Sequence, residues 1–249
     1  MNELPEQVPF PDPEFVDNPE PRCPCILLLD TSGSMDEIKV VSTGLSPVQK
    51  ILNNDTLTRR VKPIDELNAG LMAFRTALLT DGLAIKRVEL SLMTFGPVRR
   101  HTEFQSPDLF SPPTLGTEGD TPMGTAIEKA IEILNDRKAS YRQNGISYYR
   151  PWIFMISDGE PTDSWEHAAE LVRKGEDAKA FAFFAVGVEG ANFELLRKIS
   201  VRQPLKLSGL RFRDMFMWLS SSLAYISRSS PGDDIELKNP ASPDGWATL

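Results

Sequence analysis

Four short segments of this chain are almost wholly apolar, and they set what it can fold into: Cys25–Asp30 (CILLLD), Val88–Phe95 (VELSLMTF), Trp152–Ile156 (WIFMI) and Phe181–Val188 (FAFFAVGV). A strand with one wet face alternates apolar and polar residues, whereas runs like these belong to strands covered on both faces. The stretches between them are amphipathic. Ile64, Leu67, Leu71, Phe74 and Leu78 recur at three- and four-residue steps behind Pro63, which suits a first helical turn, and this helix ends near Asp81-Gly82. Met123, Ala126, Ile127, Ala130 and Leu134 mark a second helix opened by Thr121-Pro122. Asp163 and Glu166 have the spacing of a capping box for a helix running through Ala180, and a short helix over Asn192–Ile199 precedes a strand at Leu205–Leu207. Phe212, Met215, Phe216, Leu219, Leu223 and Ile226 form the last helix. Strands alternating with helices predict an α/β fold, Rossmann-like and doubly wound, with a mostly parallel six-stranded sheet, helices on both faces and one antiparallel edge strand, VRRHTEFQ.

A chain of 249 residues buries one large core, so a single domain is expected. Residues 1–22 hold six prolines and read as an extended arm, either free or pinned by Phe10 and Phe15. Residues 23–229 form the domain, with an insertion at 36–62 marked by weak periodicity and turn residues at Gly44, Pro47, Asn53 and Asn54. Residues 230–249 have tail composition, with Ile235, Leu237 and Trp246 as anchors. The balance of 27 Lys plus Arg against 35 Asp plus Glu gives a net charge of −8, which argues against a nucleic-acid-coating protein while leaving room for a local basic patch. Cys23 and Cys25 have no partners with zinc-site spacing, since His101 and His167 are remote, and read as buried thiols. The first residues have neither a basic start nor an apolar core, and no run approaches membrane-spanning length, so the expected compartment is the cytoplasm.

Chemistry concentrates in three places. In ILLLDTSGSM, a strand delivers Asp30 to its end and a small-residue turn then presents Ser32 and Ser34. One carboxylate and two hydroxyls on alternate residues can face a common point, and hard oxygen donors suit Mg2+, Mn2+ or Ca2+. Thr121 in GDTPMG and Asp158 in IFMISDGEPTD complete the set. In doubly wound sheets ligands bind at the carboxyl ends of strands, where Asp30 and Asp158 both stand. Each piece has a plainer reading: Thr121 as a helix N-cap, Asp158-Gly159 as a turn, Ser32 and Ser34 as caps on local backbone groups. Their joint arrangement favours a metal site. The cluster Arg99, Arg100 and His101 reads as edge protection, and Tyr141, Tyr148, Tyr149 and Trp152 as packing at the strand entrance.

These residues resemble the von Willebrand factor A (VWA) domain and its metal-ion-dependent adhesion site, over roughly residues 23–229. Within that family the stretches LLLDTSGSM, TPMG and DGEPTD are most similar to the bacterial tellurium-resistance (TerY-like) and YegL-like group. The resemblance implies that Ser32 and Ser34 ligate the metal through their hydroxyls, that Thr121 joins directly or through water, and that Asp30 and Asp158 bind the ion or hold its waters. It also implies a Glu or Asp from a partner protein as the remaining ligand, coupling to a shift of the helix Phe212–Ser229, and co-encoded phosphatase or kinase partners. The insertion at 36–62 departs from the family pattern and would cover or extend the site.

The resulting expectation is a non-catalytic, Mg2+-dependent protein-binding module in a bacterial stress or tellurium-resistance-type system, with neither nucleic acid nor membrane as partner. The alternative is a metal-dependent phosphatase or phosphotransferase using Asp30 as nucleophile. Haloacid-dehalogenase-type enzymes carry a second Asp two residues on, where this chain has Ser32, and the chain lacks a GxxxxGK[ST] loop, a GxSxG elbow and an HExxH pair.

Overall fold

The computed structural model describes residues 13–42, 58–158, 160–233, 235–242 and 245–248. The expectations for Phe10 and for the turn residues Gly44, Pro47, Asn53 and Asn54 lie outside them. Strand β1 (Cys23–Asp30) is central. It pairs in parallel with β4 (Val88–Phe95) on one side and with β6 (Trp152–Ser157) on the other, and β7 (Ala182–Gly187) and β8 (Leu205–Leu207) continue the parallel run. The short β5 (Arg99–Arg100) closes one edge antiparallel to β4. At the other edge β9 (Ala247–Thr248) pairs antiparallel with β8, so among the described residues the sheet has seven strands rather than the six expected, the seventh coming from the tail. A separate antiparallel pair, β2 (Lys39–Ser42) and β3 (Thr58–Val61), is built from the two ends of the insertion.

The strand alternation sorts two cores. Cys23, Cys25, Leu27 and Leu29 face α2 (Pro63–Leu78) and α7 (Phe212–Ile226), where Phe74 and Phe216 lie 5.5 Å apart. Ile26 and Leu28 face the layer holding α4 (Met123–Gln143), α5 (Glu166–Asp177) and α6 (Phe193–Ile199). Both faces of β1 are therefore dry, as its composition requires. The remaining helices are α1 (Pro13–Asp17) and α3 (Gly82–Arg87), the latter capped by Asp81 Oδ1 accepting from Leu83 N and Ala84 N. Cys23 and Cys25 are buried thiols, and burial pushes the Cys23 thiol up to about 12. Among the described residues no helix is long and apolar enough to cross a membrane.

Phe15 pins the arm. It is buried against Tyr141 at 5.9 Å, with the Arg22 and Arg137 guanidiniums over its ring, and both arginines converge on buried Glu89. The tail is anchored in the same way: Ile235 and Leu237 pack on the core and Trp246 is buried against Trp218 at 5.7 Å. Tyr141, Tyr149 and Trp152 are buried packing residues, as expected. Arg99 and Arg100 pair with Glu118 and Glu103 along the sheet edge.

The proposed capping box is corrected. Helix α5 starts at Glu166 with Trp165 as its N-cap and ends at Asp177, short of Ala180. Asp163 instead caps α4, its carboxylate accepting from Gly124 N at 3.0 Å and from Thr125 N and Thr125 Oγ1 at 2.8 and 2.7 Å. A carboxylate at the start of a 21-residue helix satisfies orphan amides and meets the positive end of the helix dipole.

Candidate metal centre

Strand β1 ends at Asp30, and the chain turns at once because Thr31 N bonds to Phe95 O at 2.9 Å while Ser32 N reaches back to Asp30 Oδ1 at 2.9 Å. That turn lies so close to Gly96 that a Cβ there would stand 2.6 Å from Ser32 N, and Gly96 also has φ +110°, so only glycine fits. A short 3-10 turn, Gly33–Asp36, then presents Ser34.

The polar side chains form a continuous chain. Ser32 Oγ donates to Asp30 Oδ1 at 2.6 Å, Ser157 Oγ donates to Asp30 Oδ2 at 2.6 Å, and Ser34 Oγ donates to Asp158 Oδ1 at 2.7 Å. Ser32 Oγ and Ser34 Oγ are 3.0 Å apart. Each hydroxyl owns one proton. Either serine can donate to the other, and when both protons go to the carboxylates instead, the two oxygens face each other through lone pairs, an arrangement a cation would relieve. Asp158 Oδ2 is buried without a hydrogen-bond partner among the described residues. Burial lifts the Asp30 carboxyl to about 6 against the hydrogen bonds from Ser157 and Ser32, and Asp158 is also raised by burial.

Thr121 is brought to the same rim by backbone. Gly33 N bonds to Gly119 O at 3.3 Å and Glu118 N to Thr31 O at 2.8 Å, which ties its loop to the serine turn. Thr121 N bonds to Thr162 Oγ1 at 3.1 Å and Thr121 O accepts from Thr162 N at 2.9 Å, which ties it to the segment after Asp158. The N-cap reading of its side chain is overturned: α4 begins at Met123 with Pro122 in the cap position, and Thr121 takes part through its carbonyl, which accepts from Met123 N at 2.8 Å. Asp30, Ser32, Thr121 and Asp158 are buried, while Ser34 is partly open to solvent.

The orphaned carboxylate oxygen and the facing hydroxyls fit a hard divalent cation, for which Ser32 and Ser34 would be neutral donors and Asp30 and Asp158 two negative charges, while Thr121 is held beside them by its backbone. Among the described residues no three His, Cys, Asp or Glu side chains gather as a metal group, so such an ion would depend on hydroxyl oxygens. The start of the insertion flanks the rim, since the charges of Lys39 and Glu37 act on Asp158. The sequence pattern offered no role for Ser157, Gly96 or Thr162. Ser157 had one signal, its place beside Asp158 at a strand end.

Residues 109–210 match the family model of the von Willebrand factor type A domain. The match spans under half of the chain and includes Thr121 and Asp158, whereas the DTSGS turn precedes it. No curated protein sequence matches the chain. Among solved structures, proximal thread matrix protein 1 from the mussel byssus aligns with 82% of this chain and 48% of its own, at 14% identity and a TM-score of 0.50. The chain thus spans about half of that protein's length. The N-terminal domain of TFIIH p34 aligns over 82% of this chain and 98% of its own, at 13% identity and a TM-score of 0.48. The vWF domain of the type V pili tip protein Mfa5 from Porphyromonas gingivalis aligns over 57% and 39%, at 16% identity and a TM-score of 0.35. Identities this low speak to fold alone. The mostly parallel sheet flanked by helices is that of the VWA fold.

Proposed function

We propose that this chain is a non-catalytic interaction module whose VWA rim holds Mg2+, with Mn2+ or Ca2+ as alternatives, and that the ion receives a Glu or Asp side chain from a partner protein. Ser32, Ser34 and Thr121 would hold the ion, and Asp30 and Asp158 would balance its charge. Bound there, the ion supplies an electron-poor centre that attracts a carboxylate, because neutral oxygens in contact with it quench little of its charge. The observation that carries the reading is Asp158 Oδ2, a buried carboxylate oxygen with no donor among the described residues, one atom away from an oxygen bonded to Ser34. An orphan of this kind costs about 1–3 kcal/mol unless something else meets it.

A nucleophilic role for Asp30 is disfavoured by its surroundings. The carboxylate has no exposed surface, and both its oxygens accept hydrogen bonds from Ser32 and Ser157. The wider setting rests on the sequence resemblance: a cytoplasmic stress or tellurium-resistance-type system, with a co-encoded phosphatase or kinase among the candidate partners and with neither nucleic acid nor membrane as ligand. The buried, unbridged Cys23 and Cys25 suit a reducing compartment.

Isothermal titration of chelator-stripped full-length protein with Mg2+, Mn2+ and Ca2+ tests this. Saturable binding of at least one ion is expected, weakened about tenfold or more in Ser34→Ala, which removes one donor without disturbing a buried core. Absence of saturable binding for all three ions, or an unchanged constant in the variant, would overturn it.

A further inference from the structure

At the opposite pole of the sheet, under the amino ends of β6 and β7, lies a cavity of about 680 Å³, within the size range of small-molecule sites. Its lining runs against the overall charge of the protein. Lys138, Arg150, Lys179 and Arg202 all contribute, opposed by Asp233, whose Oδ2 already accepts from Ser230 N at 2.8 Å. The two arginines share one carboxylate, Glu176, each at 2.7 Å. Neither lysine has a carboxylate partner among the described residues.

Two independent features mark the lysines. Lys138 is 92% buried, and its ammonium, with three protons to place, makes one long contact, 3.4 Å to Ala180 O. Burial, then the charge of Arg142, lowers its pKa, the mark of an ammonium short of negative company. Lys179 closes α5 in the left-handed region, at φ +52°, with Ala180 N bonded to Gly175 O at 2.8 Å and Lys179 N to Glu176 O at 3.0 Å. Glycine is the residue this helix-ending motif favours, so the chain keeps a lysine in a backbone conformation that is unfavourable for an L side chain. The walls are flat: Tyr148 and Trp152 line the cavity, and the Arg202 guanidinium lies 5.1 Å over the Phe184 ring.

We propose that this cavity binds a small organic phosphate carrying a planar ring, the nucleotide class, with Lys138 and Lys179 at its anionic end and Tyr148, Phe184 and Arg202 against its flat end. Unpaired ammonium groups meet phosphate as point charges, and guanidinium and aromatic planes accept a ring by stacking. The site is separate from the carboxyl-end rim and does not depend on a cation there.

Calorimetric titration of the full chain in chelator with AMP, adenosine and inorganic phosphate decides it. AMP is expected to bind saturably and about tenfold or more tighter than either fragment. Lys179→Gly removes the amine and relieves the left-handed backbone, so AMP affinity falls about tenfold while the melting temperature holds or rises. Lys138→Met is expected to weaken AMP as well. No saturable AMP binding, adenosine or phosphate binding as tightly as AMP, or Lys179→Gly with wild-type affinity would each overturn the proposal.

Discussion

Asp30 holds its charge at a cost. Burial raises its carboxyl to about 6, against a usual value of 3.8, so between those two pH values the folded chain keeps a proton that the unfolded chain has released. For an acid with a raised folded pKa, stability falls as pH climbs through that window and the loss is complete above it, roughly 2–3 kcal/mol for a shift of this size. In chelator at pH 8, Asp30→Asn is therefore expected to melt higher than wild type, with the gap closing by pH 4. Adding Mg2+ should raise the wild-type midpoint and leave the variant unmoved. A variant less stable at both pH values would show that the buried charge carries no penalty. That the side chains of Asp30, Ser32 and Ser34 come together was legible in the sequence, because they stand on alternate positions directly after an apolar run. Ser157 was not, since its role depends on β6 lying beside β1, a neighbour relation no local spacing encodes.

Helix α4 shows how an element positions the rim. Its first turn is capped from another segment by Asp163, and Gly124 sits where a Cβ would collide with the carbonyl oxygen of Ser164, so the loop after β6 seats directly on the helix start. Thr121, two residues before that start, is held by the same loop through Thr162. Asp163→Ala should cost about 1–2 kcal/mol in urea unfolding, the usual value of a lost N-cap, and should weaken cation binding as Thr121 loosens. Wild-type stability in this variant would contradict the assignment. Helix periods and apolar strands were readable because both are local patterns. The cap was misread because Asp163 stands three residues before Glu166 and yet serves an amide 38 residues upstream. The start of α4 packs against Ser164 and Trp165, just ahead of α5, and the Asp163 carboxylate bonds to α4, whereas sequence spacing favours the nearer helix.

On the scale of the whole molecule, the sheet order β5-β4-β1-β6-β7-β8-β9 sets Asp30, at the end of β1, beside Asp158, just past the end of the adjacent β6, where the winding reverses, with helices of opposite layers on either side. The doubly wound class followed from alternating strands and helices. The seventh strand did not, because two residues carry no period, and its place is fixed instead by Trp246 packing on Trp218 and Ser208 N bonding to Trp246 O at 2.9 Å. The molecule thus has an acidic, hydroxyl-lined pole at the carboxyl ends of its strands and a cationic, aromatic pole at their amino ends. One hard cation at the first pole is the central prediction. Crystals soaked in Mn2+ test it most directly: an anomalous peak within about 2.5 Å of both Ser32 Oγ and Ser34 Oγ is expected. A rim without such a peak at saturating Mn2+, or manganese bound only at other sites, would contradict it.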